Sequence, residues 1–287
     1  MPFWAGVSTR LHHMFHRQTD IERAALRPRL YAYLDPHTAL TNLHDGQLIF
    51  VDPADEQLTP SIVAFGLWEA WIERVIRRLV KPGHRVIEVG ANIGYYTLVM
   101  ASLIGATGQL DAFEANPRAV RLLKRSVVTS GRGDFVTIHE KIVADRAGLL
   151  HLNISARFGG AGNIAENGWG IGDDTETVPC EAVRLDELFE TETVDFIRID
   201  TEGSEVLILN GALGILARSP TIKLCIEWHL GMMRARGDVD ALVAKLEGMG
   251  FRFWRIDVEK LTPLASAALL TQPFCDLLVA RTLDAPH

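Results

Sequence analysis

The chain has 287 residues, of which 48% are hydrophobic and 23% are charged. This length and composition suit one large hydrophobic core with a terminal extension, and they argue against two full domains. The formal net charge is −7, and no run of Lys and Arg interrupts the sequence. A nucleic-acid binder needs a basic surface, so we expect no nucleic-acid partner.

The sequence lacks the marks of a secreted or membrane-spanning protein. Three widely spaced cysteines argue against a C-x-x-C motif and against a disulfide framework. Residues 86–106 are apolar, yet they contain Glu88, Asn92 and three glycines, and they divide into a strand and a helix. We therefore predict no transmembrane segment and a cytoplasmic protein.

The N-terminal part differs from the rest of the chain. Residues 1–60 lack a regular alternation of strands and helices, although Gln47–Asp52 has the pattern of a short hairpin strand. Residues 68–80 carry apolar side chains at helical spacing, and Lys81-Pro-Gly83 ends that helix. We predict an N-terminal extension or cap over residues 1–60 and a main domain over 61–287.

The main domain alternates strands with helices, which indicates parallel strands joined by crossover helices in an α/β fold. The first predicted elements are strand 85–89, helix 94–104, strand 109–114, helix 117–129 and strand 135–140. Later ones are strand 194–200, helix 204–216, strand 222–228, helix 239–249 and two closing strands, 251–257 and 276–282.

Six glycines lie within residues 158–174, between predicted strands 149–154 and 178–184. A loop this long within a compact domain favours a lid or a substrate-binding loop. The alternative is an insertion without a role.

The strand 85–89 leads into a turn with the pattern Gly90-x-x-x-Gly94, where small residues let the backbone approach a ligand. Glu114 follows 20 residues after Gly94, at the end of the next strand, where a cofactor fold places the acid that binds ribose. The turn lacks the G-x-G-x-x-G of a pyrophosphate binder, which favours S-adenosylmethionine. An NAD(P)-dependent oxidoreductase and a non-catalytic cofactor-binding module stay open as alternatives.

Three segments carry distinctive motifs: Glu88–Thr97, Ala112–Pro117 and Asp195–Glu205, the last with the pattern I-D-x-E-G-x-E. In this order they resemble the motifs of the FkbM-type S-adenosylmethionine-dependent methyltransferases. The resemblance implies a class I, Rossmann-like fold: a seven-stranded, mostly parallel sheet with helices on both faces. It also implies transfer of a methyl group from S-adenosylmethionine to a hydroxyl of a small molecule or glycan.

The cofactor site is expected at the carboxyl ends of the first strands. Glu88, where the family often has Asp, is expected near the methionine ammonium group, and the backbone of Gly90 and Gly94 near the ligand. Asn92 either fixes this loop or touches the ligand. By resemblance, Asp145 lies near the adenine; alternatively it is an ordinary turn carboxylate.

The catalytic candidates follow the later strands. Asp200 ends an apolar strand, where a carboxylate needs solvent, a cation or a proton, so we expect it to face the site. Glu202 is either catalytic or a cap for the next helix. His229 is a candidate general base. Alternatively, Asp200, Glu227 and His229 hold a divalent cation such as Mg²⁺ that acidifies the acceptor hydroxyl.

Overall fold

The structure, a computed structural model, describes residues 28–155, 162–164 and 175–283. Its first three strands form an antiparallel sheet: β1 (Tyr31–Asp35), β2 (Thr38–Asn42) and β3 (Leu48–Val51). The predicted strand near residues 47–52 is thus confirmed as β3. Helices α1 (Leu58–Phe65) and α2 (Ala70–Leu79) follow, and α2 confirms the predicted helix over residues 68–80.

The next elements build the central sheet, and their bounds are close to the predicted ones. They are β4 (Arg85–Val89), α3 (Tyr95–Ile104), β5 (Gln109–Phe113), α4 (Pro117–Thr129) and β6 (Val136–His139). A separate four-stranded sheet comes from the middle of the chain: β7 (Ile142–Val143), β8 (Gly148–Ser155), β9 (Asn163–Ile164) and β10 (Thr175–Val183).

The second half of the central sheet begins after a short helix. Its elements are α5 (Leu185–Leu188), β11 (Phe196–Ile199), α6 (Glu205–Asn210), α7 (Leu213–Arg218), β12 (Lys223–His229), α8 (Leu230–Arg234), α9 (Val239–Gly248), β13 (Arg252–Ile256), β14 (Leu261–Leu264), α10 (Ser266–Leu269) and β15 (Phe274–Ala280). The predicted helix 204–216 is divided into α6 and α7 at Gly211, whose added Cβ would lie 2.3 Å from the Ala144 carbonyl oxygen.

The central sheet has the order β14-β13-β15-β12-β11-β4-β5-β6. Strands β6, β5, β4, β11 and β12 pair in parallel. Strands β15, β13 and β14 continue the sheet beyond β12 in antiparallel pairs. The predicted class I fold is confirmed, but the predicted count of seven strands is wrong. The eighth strand, β14, pairs with β13 as a hairpin. The sequence did not predict β14 because it contains Pro263, and proline is depleted in strands except at sheet edges such as this one.

Helices cover both faces of the central sheet and bury two groups of apolar side chains. Ile87, Ile197 and Leu224 belong to the core beneath α6, α7 and α9. Val86 and Phe196, on the opposite face, pack in a second core with α2, α3, α4 and the N-terminal sheet. Successive strand residues point to opposite faces, so this second face also carries Glu88 and Arg198.

The apolar stretch 86–106 divides into β4 and α3, as predicted. In the part of the chain that the structure describes, no helix combines the length and the hydrophobicity needed to cross a bilayer.

The N-terminal sheet is joined to α4 by a buried hydrogen bond. The Phe50 amide donates to Ser126 Oγ at 3.0 Å, and Ser126 Oγ donates to the Leu122 carbonyl oxygen at 2.9 Å. Ser126 is fully buried. Because β3 shares a hydrophobic core with α4, the N-terminal sheet is part of the main packing; the domain division at residue 60 stays a prediction.

We expect Ser126→Ala to lower the free energy of unfolding by about 1–3 kcal/mol, because it leaves the buried Phe50 amide without an acceptor. The matched control is Ser102→Ala, whose hydroxyl donates only to the Val99 carbonyl within α3. Urea unfolding of both variants checks this: equal losses would contradict a role of Ser126 in holding the sheet.

Candidate active site

A pocket opens at the carboxyl ends of β4, β5 and β11. Gly90, Asn92 and Glu114 form one side of its wall, and Asp200 and Glu202 form another. Trp68 from the loop between α1 and α2 closes a third side. Ligands of open parallel sheets bind at this edge, so the location agrees with the prediction.

The Gly90–Gly94 loop has a shape that only glycine fits at its two ends. Gly90 has φ +82°, and an added Cβ would lie 1.9 Å from the Asp200 carbonyl oxygen. Gly94 has φ +95°, and its added Cβ would lie 2.5 Å from Leu123 Cδ1. Both glycines are favoured by their positive φ, and Gly90 also by the Asp200 carbonyl group beside it. These reasons differ from the predicted approach of a ligand.

Glu114, the residue predicted to bind ribose, lies next to Asn92 in the pocket wall. The Glu114 carboxylate accepts hydrogen bonds from the amides of Asn92 and Asn116, each at 2.7 Å. Burial raises the pKa of Glu114, and these backbone hydrogen bonds oppose that shift. Asn92 has φ +49°, and its buried Oδ1 has no hydrogen-bond partner among the described residues. This region therefore offers acceptor atoms to a ligand.

Glu88 lies below this wall and is fully buried. Its Oε2 accepts a hydrogen bond from Thr97 Oγ1 at 2.6 Å, and its Oε1 lies 3.7 Å from the Arg198 guanidinium. Burial raises the pKa of Glu88 to about 7, whereas Arg198 and Thr97 act in the opposite direction. Glu88 is behind the residues that line the pocket, and its contact with the methionine ammonium group stays a prediction.

The segment Asp200–Ser204 forms a tight loop before α6. Asp200 Oδ2 accepts from Arg198 at 2.6 Å. Glu202 has φ +52° and lines the pocket. Ser204, at the position that caps α6, makes no side-chain capping bond. Instead, the fully buried Glu205 closes the loop by accepting from the Thr201 amide at 2.8 Å and from Thr201 Oγ1 at 2.9 Å.

The structure does not bring His229 into the pocket wall. Its Nδ1 accepts a hydrogen bond from the Met232 amide at 3.3 Å and so caps α8, and its ring meets Phe274 edge-on. Glu227 is buried within β12, opposite Asp276 of β15.

Asp200, Glu227 and His229 do not form the predicted metal site. Over residues 28–155, 162–164 and 175–283, no group of three or more His, Cys, Asp or Glu side chains is arranged to hold a metal ion. Other contacts hold two of these side chains. Asp200 forms an ion pair with Arg198, and His229 accepts a hydrogen bond from the Met232 amide at the start of α8.

Asp145 also lies outside the pocket wall, whereas Ile142 and Val143, which precede it, line the pocket. The Asp145 side chain is 37% exposed and lies 3.4 Å from the Arg146 guanidinium. This is the geometry of a turn carboxylate, and the adenine contact stays a prediction. Of the glycine-rich stretch 158–174, Gly162 and Ile164 line the pocket; residues 158–161 and 165–174 lie outside the described residues.

A family model described as "Methyltransferase FkbM domain" matches residues 88–253, which include the Gly90 loop, Glu114 and the Asp200 loop. The chain belongs to the FkbM methyltransferase family. It is therefore a methyltransferase that uses S-adenosylmethionine. No curated protein matches the chain in sequence.

Solved methyltransferase structures are similar to this FkbM methyltransferase. A SAM-dependent O-methyltransferase from Thermotoga maritima is 13% identical, with 95% of this chain and 100% of that chain covered and a TM-score of 0.44. TYW2 of P. horikoshii, in complex with MeSAdo, is 12% identical, with 87% and 74% covered and a TM-score of 0.44. A precorrin-6y C5,15-methyltransferase from Geobacter metallireducens is 10% identical, with 75% and 90% covered and a TM-score of 0.42.

The residues of the pocket fit S-adenosylmethionine. Its ribose hydroxyls and its ammonium group are hydrogen-bond donors, and the wall supplies acceptors. Glu114 keeps lone pairs beyond those used by two amides, and Asn92 Oδ1 is a buried acceptor without a hydrogen-bond partner among the described residues. Behind this wall, Glu88 Oε1 also has no hydrogen-bond partner among the described residues.

Sequence reasoning missed two residues that shape the site, Arg198 and Glu205. A signal existed for Arg198, because a charged residue within the apolar run Phe196–Ile199 is costly to bury without partners. Glu205 belongs to the motif Asp195–Glu205, but its role in closing the Thr201 loop depends on tertiary geometry.

We expect Gly90→Ala to abolish cofactor binding and to lower stability. The new methyl group would clash with the Asp200 carbonyl, which costs about 1–3 kcal/mol, and the positive φ of residue 90 adds backbone strain. The matched control is Gly250→Ala: Gly250 has φ +85°, and its added Cβ would meet nothing within 4 Å. The control should lose only about 1 kcal/mol from the left-handed conformation. Thermal unfolding and calorimetry check both, and similar losses would contradict the clash with Asp200.

Glu205 should make stability depend on pH. Burial raises its pKa to about 7, although hydrogen bonds from its own amide and Thr201 oppose the shift. The folded chain therefore holds this proton more tightly than the unfolded chain. The resulting stability is complete in acid and is lost as the pH rises through about 7.

Glu205→Gln should flatten the decline in unfolding free energy between roughly pH 5 and pH 8. The exposed Glu247, changed to Gln, is the control and should leave the decline unchanged. Urea unfolding at several pH values checks this, and parallel curves for all three proteins would argue against a buried proton on Glu205.

Proposed function

We propose that this methyltransferase transfers the methyl group to a hydroxyl oxygen of a small molecule or a glycan. The observation that carries the proposal is that Asp200 and Glu202 share one pocket with Glu114 and Asn92. A hydroxyl must lose its proton when its oxygen takes up a methyl group, and a carboxylate next to the cofactor can accept that proton.

Each side of the pocket has a separate task in this proposal. Glu114 binds the ribose hydroxyls and Asn92 contributes its side-chain oxygen, while Glu88 stabilises the methionine ammonium group from below. Gly90 and Gly94 give the loop between them its shape. Hydrogen bonds to a buried carboxylate are strong, so these contacts fix the cofactor before the acceptor binds.

Asp200 and Glu202 are better candidates for the proton acceptor than His229. His229 Nδ1 accepts a hydrogen bond from the Met232 amide and therefore carries no proton. In the neutral ring the proton then lies on Nε2, so Nε2 has no lone pair with which to accept another proton. Asp200 lines the pocket and is oriented by Arg198, and Glu202 lines the pocket next to it in sequence. We propose Asp200 as the proton acceptor and Glu202 as a hydrogen-bond partner of the acceptor molecule.

The cofactor supplies the electrophilic methyl group. The residues of the chain then hold the acceptor oxygen in line with that group and remove its proton. Holding two reactants in this geometry supplies much of the acceleration of a transfer reaction.

The acceptor side of the pocket suits a neutral, hydroxylated molecule. Trp68 offers a half-buried ring and Gln57 an amide, while Lys141 is paired with Glu181 at 2.7 Å. The net charge of −7 disfavours nucleic acid as the acceptor. We further propose that the cap, residues 1–60, and the glycine-rich stretch 158–174 contribute acceptor contacts, and that the protein acts in the cytoplasm.

Two variants test the proposal in a methyl-transfer assay with labelled S-adenosylmethionine and a panel of sugars, polyols, amines and oligonucleotides. We expect label in hydroxylated acceptors as an ether that resists alkaline hydrolysis. Asp200→Asn should lower turnover at least 100-fold or so, which is the usual share of a general base. Glu202→Gln should mainly raise the KM for the acceptor.

The control for both variants is Asp240→Asn, because Asp240 is exposed and pairs with Arg234 away from the pocket. Label found only in amines would contradict the hydroxyl acceptor. Cofactor binding without transfer to any acceptor would favour a non-catalytic module, and a response to NADH but not to S-adenosylmethionine would favour an oxidoreductase.

A further inference from the structure

Arg198 is a charged residue in the middle of a buried strand. Only 6% of its side chain is exposed, and its neighbours Phe196, Ile197 and Ile199 are apolar. Burying a guanidinium costs free energy unless hydrogen bonds and opposite charges replace the water that it loses. Its partners therefore show what the chain gains from it.

The partners of Arg198 belong to three different elements of the site. Its guanidinium donates to Asp200 Oδ2 at 2.6 Å and to the Gly90 carbonyl oxygen at 3.4 Å, and it lies 3.7 Å from Glu88 Oε1. The planar group also lies over the Tyr96 ring, 4.0 Å from its centre. One side chain thus joins the end of β11 to the loop after β4 and to the start of α3.

The same contacts continue to the acceptor side of the pocket. The Tyr96 hydroxyl lies 3.4 Å from the Trp68 carbonyl oxygen and 3.3 Å from Glu69 Oε2. Trp68 and Tyr96 both line the pocket. Arg198 therefore supports the wall predicted to hold the cofactor and the wall opposite it.

Arg198 also affects the pKa of the neighbouring Glu88. Burial raises the pKa of Glu88. The Arg198 charge and the Thr97 hydrogen bond lower this pKa, whereas the charges of Glu114 and Asp200 raise it further. Burial alone would lower the pKa of Arg198, but Asp200, Tyr96 and Glu88 raise it, so the guanidinium stays charged. The other titratable groups facing this cluster are Cys225 of β12, Glu69 before α2 and Asp276 of β15.

We propose that Arg198 is a positioning residue of the S-adenosylmethionine site, which holds the Glu88 and Asp200 carboxyl groups in place and locks the Gly90 loop against the end of β11. The inference rests on the proposed function, in which these carboxylates serve a cationic cofactor and an acceptor hydroxyl. Replacement of Arg198 by a neutral residue removes the charge that lowers the pKa of Glu88, so a higher pH is needed to ionise Glu88.

The test is isothermal titration of the whole chain with S-adenosylmethionine between roughly pH 6 and pH 9, where Glu88 with a pKa of about 7 changes charge. For Arg198→Met we expect about tenfold weaker binding at pH 7 and a displacement of the affinity curve by about one pH unit toward alkaline pH. Arg198→Lys keeps the charge but loses the planar fork. It should bind about threefold to tenfold more weakly, without a displacement of the curve.

The matched control is Arg281→Met. Arg281 also lies over an aromatic ring, Phe251, at 4.2 Å, and donates to the carbonyl oxygens of Met249 and Leu216, away from the pocket. It should lower the melting temperature while leaving the affinity and its pH dependence unchanged. If the role of Arg198 were only structural, Arg198→Met would likewise lower the melting temperature without changing the affinity or its pH dependence.

The proposal is overturned if Arg198→Met and the wild type give superimposed curves of affinity against pH. If Arg198→Met does not fold, Arg198→Lys decides, because wild-type affinity in that variant excludes a role for the fork. A wild type that binds no S-adenosylmethionine at any pH refutes the cofactor site itself, and the inference with it, which separates the two failures.

Discussion

The carboxyl ends of β4 and β11 approach each other so closely that residue 90 has no room for a side chain. The Asp200 amide donates to the Val89 carbonyl oxygen at 3.0 Å, and the Asp200 carbonyl would lie 1.9 Å from a Cβ on Gly90. This contact places the loop predicted to bind the cofactor against the loop that carries Asp200 and Glu202. The positions of both walls of the pocket depend on it.

The period of the strands then determines which side chains meet at this contact. Val86 and Glu88 lie on one face of β4, in register with Phe196 and Arg198 of β11, and Gly90 and Asp200 follow directly after these strands. This face is apolar at its lower end and becomes charged toward the carboxyl ends of the strands. The hydrophobic core thus passes directly into the polar site, and Arg198 and Thr97 stabilise the carboxylate of Glu88 that lies at the boundary.

Local patterns predicted the elements whose sequences carry their own signals. The Gly90–Gly94 turn, helix 117–129 with Asn116 and Pro117 at its start, and the parallel strands are found close to the predicted bounds. Tertiary geometry decided the rest. The predicted helix 204–216 is divided at Gly211, where the backbone packs closely against Ala144. His229 lies outside the pocket wall, where its ring caps α8, a short helix that the sequence did not predict. Asp200 lines the pocket, and its partner Arg198, two residues earlier in β11, was not predicted because its role depends on tertiary contacts with Glu88 and Gly90.

Backbone strain around the pocket gives a second reason to regard it as the functional site. Among the described residues, Glu69, Asn92 and Glu202 are the non-glycine residues with positive φ. Asn92 and Glu202 line the pocket, and Glu69 follows Trp68, which lines it too. Each such conformation costs roughly 1–3 kcal/mol, and glycine would relieve it. Glycine would also remove side chains that the pocket uses, the Glu69 carboxylate next to Tyr96 among them. The strained residues are therefore concentrated around one pocket, and the packing of the two cores beneath it offsets the cost of the strain. A site whose side chains must hold fixed positions needs this arrangement.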